Sequence, residues 1–134
     1  MSQRARGELE VKVAPVATEP SPDGLSLGRY SLDNRYHGEL EATGKGEMLT
    51  VGTPVEGSAA YVAVERVEGS LDGRRGSFAL QHTGTMGRGE QHLEITVVPD
   101  SGTGELVGLE GRVAILISDG KHSYDFEYSL PGEH

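Results

Sequence analysis

The chain has no cysteine, no tryptophan, only two phenylalanines and five tyrosines. The lack of cysteine fits a protein of the bacterial cytosol. Without tryptophan the G-x-W signature of lipocalins is impossible. No stretch approaches the roughly 18 apolar residues of a membrane span, and the opening MSQRARGELE has no apolar core of a signal peptide. A cytoplasmic protein without a membrane segment is the expectation. Apolar residues at i, i+3, i+4 and i+7 are not sustained in any window, which excludes a strong amphipathic helix. Positive charge is scarce: 12 Lys and Arg stand against 21 Asp and Glu, for a net charge of -9. That balance argues against nucleic acid and anionic membrane as partners. No G-x-S-x-G elbow or phosphate loop is present.

What remains is abundant glycine, 20 in 134 residues, punctuating short alternating segments. The chain reads as one domain, residues 1–134, of the all-β class. Leu9, Val11 and Val13 alternate with Glu8, Glu10 and Lys12 in a first strand, and a proline-rich loop is expected over Ala17 to Gly24. Leu25 to Gly38 gives a second strand, with Tyr30, Leu32 and Tyr36 on one face. In the third, Glu39 to Leu49, Gly44 and Gly46 share a face with Leu40, Ala42 and Met48. Two glycines inside a strand indicate a sharp bend, a bulge or close approach of another backbone. The centre is a long hairpin that turns at Asp72-Gly73, among the strongest short hairpin signals. A sixth strand covers His92 to Val98, and one helical turn is expected near Glu105 to Gly108. Val113 to Ser118 is an apolar run expected to be covered on both faces. Asp119-Gly120 then turns into an eighth strand, Lys121 to Leu130. Eight strands with short turns favour an antiparallel meander closed into a barrel, with a two-sheet sandwich as the alternative.

Further residues carry a resemblance. Glu65-Arg66, the segment Gly73-Arg74-x-Gly76-Ser77-Phe78, Leu80-Gln81-His82 and Gly84 come first. Ser101-Gly102-Thr103-Gly104-Glu105-Leu106-x-Gly108-Leu109-x-Gly111 follows. Together they resemble an uncharacterised bacterial family with the allene oxide cyclase-like barrel. The glycine segment is also distantly similar to plant allene oxide cyclases and dirigent proteins, with Leu106 where those have an aromatic residue. The resemblance implies a closed eight-stranded antiparallel barrel in meander order.

Among candidate site residues, His82 shares a face with Phe78 and Leu80 and should point inward with them. An imidazole there could be a general acid/base or simply a buried histidine satisfied by one neighbour. Glu65 shares its face with Tyr61, Ala63 and Val67; inward, it would pair with His82 as acid and base, or with an arginine as a structural ion pair. Tyr61, Phe78, Leu80 and Tyr36 are the expected ligand-binding side chains. His37-x-Glu39-x-Glu41 has spacing that could face a metal, but no second cluster completes such a site, and a solvated strand face is the reading adopted. No metal or cofactor is expected. The expectation is a barrel binding a small hydrophobic molecule as a cofactor-free isomerase or cyclase; a non-catalytic carrier is the alternative. Outward Val62, Val64 and Val98 suggest a homo-oligomer.

Overall fold

The computed structural model describes residues 2–131; Met1 and residues 132–134, the ends of the expected domain, lie outside the described residues. Eight antiparallel strands follow in chain order: β1 (Gln3–Pro20), β2 (Ser26–Tyr36), β3 (Leu40–Gly52), β4 (Ala59–Leu71), β5 (Arg74–Gly87), β6 (Glu90–Val97), β7 (Glu110–Ser118) and β8 (Lys121–Ser129). Each pairs with its neighbour in sequence, and β1 pairs with β8, so the sheet is a closed barrel. The sandwich alternative is excluded. Among the described residues no helix is long and apolar enough to cross a membrane.

Turn chemistry sets the hairpins. Asp72-Gly73, Arg88-Gly89 and Asp119-Gly120 all have positive φ at both positions, the pattern of a type I′ turn whose twist matches the flanking strands. A 3₁₀ turn, Gly104–Leu106, overlaps the helical turn expected at Glu105 to Gly108.

The two ends of the barrel differ. At the end holding the β2–β3 and β4–β5 turns, the interior is solid. Phe78 stacks on Phe126 with centroids 5.7 Å apart, and Phe126 lies against Tyr128 at 5.4 Å. Leu40, Leu71, Leu106 and Leu109 are fully buried around them. The segment after β6 straps this end: Thr103 Oγ1 accepts from the Ser77 amide, and Ser101 Oγ accepts from the Ala79 amide. Tyr124 Oη accepts from the Leu40 amide and donates to the His37 carbonyl, tying β8 to the β2–β3 turn.

The opposite end is open. β8 follows β1 only as far as Leu9, and β6 meets β7 at only two register pairs, Ile95–Val113 and Thr96–Arg112. Val11, Val13, Leu93 and Ile117, all on inner faces by register, are consequently exposed.

Two sequence expectations are corrected here. The first half of the proline-rich segment is strand, since β1 runs to Pro20 with a register shift between Pro15 and Ala17. Proline is tolerated there because this part of β1 pairs with β2 alone and its other edge makes no ladder. The run Val113 to Ser118 is not covered on both faces: Leu116 is exposed on the outer face, and Ile117, on the inner face, is exposed where the β6–β7 ladder has ended at Ile95–Val113.

Truncating Phe126 to Ala should lower unfolding free energy by about 3–5 kcal/mol, read by urea denaturation. Burial raises the Tyr124 phenol from 10 to about 12. A raised folded-state value stabilises the protein below the unfolded value. The corresponding stability should therefore fall as pH rises from 10 to about 12, tracked by denaturation together with tyrosinate absorbance.

Candidate functional site

Strand register places a polar cluster midway along the barrel. Ala63 of β4 lies between Met48 of β3 and His82 of β5, and the next inward residue of β4, Glu65, lies between Gly46 and Leu80. Inward alternation on β2 adds Leu32, Asn34 and Tyr36. Glu65 is 1% exposed, Asn34 5% and His82 8%.

Three side chains converge on the carboxylate. Asn34 Nδ2 donates to Glu65 Oε2 at 3.1 Å, and Tyr36 Oη donates to the same oxygen at 2.8 Å. His82 Nε2 lies 2.9 Å from Oε1. A buried carboxylate without such partners would be strongly unfavourable. Burial, then the nearby Glu65 charge and their hydrogen bond, pushes the Tyr36 phenol well above 10, so Tyr36 acts as a fixed donor. His82 Nδ1 has no hydrogen-bond partner among the described residues. An imidazole oriented through one nitrogen by a buried carboxylate, with the other nitrogen unengaged, can accept and return a proton.

The room for this carboxylate comes from a missing side chain. A Cβ at Gly44 would stand 1.8 Å from Glu65 Oε2, so only glycine fits opposite it. Of the alternatives open for the β3 glycines, close approach of another backbone applies at Gly46, where a Cβ would stand 1.9 Å from the Val64 carbonyl oxygen; at Gly44 the neighbour is a side chain.

Beyond the cluster, toward the open end, lies a pocket of about 540 Å³. Its wall is mostly apolar, with Tyr30, Met48, Tyr61, Met86 and Leu93, and its polar members are Thr50, Thr85, Gln91 and His92. The Tyr61 ring lies across Gly84, where a Cβ would come within 2.3 Å of the ring. Burial raises the Tyr61 phenol above 10, leaving it a neutral hydrogen-bonding group.

Of the expected site residues, the structure brings His82, Glu65 and Tyr36 together, and Tyr61 lines the pocket. Phe78 and Leu80 belong to the packed half and do not line it. His82 itself borders a different depression, on the outer wall beside Val62, Val64 and Gln81. His37, Glu39 and Glu41 form surface contacts. His37 Nε2 lies 2.6 Å from Glu10, raising the imidazole and lowering the carboxyl, while Glu39 and Glu41 accept from the Arg6 and Gly38 amides. No set of three His, Asp or Glu among the described residues is arranged to hold a metal. Sequence reading missed Asn34, although its parity with Tyr30, Leu32 and Tyr36 was visible.

With this geometry in hand, a family described as "Protein of unknown function (DUF3224)" matches residues 5–128. The chain belongs to this family. It is also similar to a solved crystal structure of a DUF3224 protein with unknown function from Shewanella oneidensis MR-1. That similarity is 46% identity with a TM-score of 0.91, over 97% of this chain and 98% of that one. No curated protein matches the chain.

In this DUF3224 barrel, Gly44→Ala should lower stability by about 1–3 kcal/mol through overpacking against the carboxylate. Most of that loss should vanish when the same change is made in a Glu65→Ala background, as measured by a double-mutant cycle in urea. An undiminished loss would show that the strain lies elsewhere.

Proposed function

We propose that the open end of the barrel binds a small, largely apolar molecule. His82, oriented by Glu65, then moves a proton in a cofactor-free isomerisation or cyclisation of it. The observation that carries this is a pocket of about 540 Å³ adjoining a buried carboxylate–imidazole pair 2.9 Å apart. Its size falls within the usual range for small-molecule sites, which combine an apolar wall with a few polar groups. Met48 shares a register row with Ala63 and His82, and Gly84 is the next inward residue after His82, so pocket and pair are adjacent along the barrel. From the likeness to plant allene oxide cyclases only the barrel is taken, because fold alone does not carry a reaction.

A carrier without chemistry is the second reading. It is favoured by the absence of His82 from the pocket wall and by the structural holding of Glu65 through three partners. In both readings the chain acts as a single cytoplasmic domain. Its outer patch of Leu49, Val62 and Val64, exposed in one copy, faces a second copy of the chain.

Native mass spectrometry of purified protein should reveal a retained small molecule, and Met48→Trp, which fills the pocket, should abolish retention while leaving the β-sheet circular dichroism intact. Incubating excess of that molecule with the protein should give an isomer of equal mass and altered NMR spectrum. His82→Asn should slow the conversion by about a hundredfold or more with affinity nearly unchanged. Retention without any isomer from the wild-type protein selects the carrier.

A further inference from the structure

Resting on that reading of the open end, we infer that the molecule it takes is an uncharged lipophilic alcohol, not a carboxylate such as a fatty acid. Two independent observations carry this. The first is a lack of buried positive charge. No Lys or Arg lines the pocket, and its one basic residue, His92, is exposed at the rim beside Glu90 at 3.6 Å. The buried polar and charged residues are Asn34, Glu65, Ser77 and His82, so His82 is the one buried basic side chain among the described residues. With Glu65 beside it, the pair is negative or neutral in every protonation state that leaves the carboxylate ionised, and never positive. An anionic ligand would lose its hydration and gain no counter-charge.

The second observation is an acceptor without a donor. Asn34 Oδ1 is buried and has no hydrogen-bond partner. Its orientation is set by chemistry: turning the amide over would place this oxygen against Glu65 Oε2, where Nδ2 now donates. Buried acceptors in native proteins are almost always satisfied. On β2, Asn34 lies two inward positions below Tyr30 of the pocket wall, and on β5, His82 lies one below Gly84. A hydroxyl carried down from the pocket, its apolar body against Met48 and Tyr61, would donate to Asn34 Oδ1. An ether or ester oxygen has no hydrogen to give.

The test is displacement of Nile red from the wild-type protein by three ligands of equal chain length: decanol, decyl methyl ether and decanoate. Decanol should displace the dye at concentrations about tenfold lower than either of the others, the consequence of leaving a buried acceptor unpaired or a charge uncompensated. Thr50→Lys, on the pocket wall, should raise the affinity for decanoate and narrow or reverse that order. Equal binding of the ether would mean that water satisfies Asn34, and equal or tighter binding of decanoate would mean that charge is no barrier. Either result overturns the assignment of an alcohol while leaving a binding barrel. Failure of Nile red and all three ligands to bind would instead remove the binding reading itself.

Discussion

The interior of this barrel depends on one buried carboxylate. Glu65 is withdrawn from water at the centre of the sheet, and the strands around it are arranged to make that tolerable. Asn34 and Tyr36 come from β2, His82 from β5, and the empty side of Gly44 from β3. Removing any one donor would leave an ion in a medium that does not solvate it. The cluster therefore fixes the relative positions of four strands as well as offering a site for chemistry. A merely structural ion pair would need fewer of these features; an unengaged imidazole nitrogen and an unsatisfied amide oxygen are surplus to it.

The cluster also marks where the barrel changes character. On one side, Phe78, Phe126 and Tyr128 fill the lumen with aromatic packing, and the strap carrying Ser101 and Thr103 closes the end. On the other, β1 outruns β8 and β7 stops pairing with β6 after Val113, so inner-face apolar residues meet solvent. Stability resides in the first half, and a hollow is maintained in the second. Exposing apolar inner walls such as Val11, Val13 and Leu93 opposes the hydrophobic effect unless something covers them.

Much of this could be read from residues alone. The Asp-Gly turns and the alternation of Phe78, Leu80 and His82 announced the central hairpin and its inward face. The shared parity of Tyr61, Ala63, Glu65 and Val67 made Glu65 a candidate neighbour of His82. What sequence could not supply was register: only the pairing of Ala63 with His82 brings the carboxylate and imidazole together. Asn34 was passed over because a single amide on an otherwise apolar face carries no pattern of its own. The misreadings at Ala17 to Pro20 and along β7 share a cause. How far each strand is accompanied by its neighbour decides whether a proline is tolerated or an isoleucine covered, and alternation within one strand does not record it.

A small molecule in the open end, next to the Glu65–His82 pair, is the claim on which the functional reading turns. Methyl-labelled methionine offers a direct observation, because Met48 and Met86 both line the pocket. In an NMR titration with decanol, both methyl signals should shift together along one saturable curve, with nuclear Overhauser contacts from the ligand chain to Met48 and Tyr61 and a concurrent change in the His82 ring signals. Methyl signals unmoved at saturating ligand, or shifts confined to outer-wall residues such as Val62 and Gln81, would contradict it.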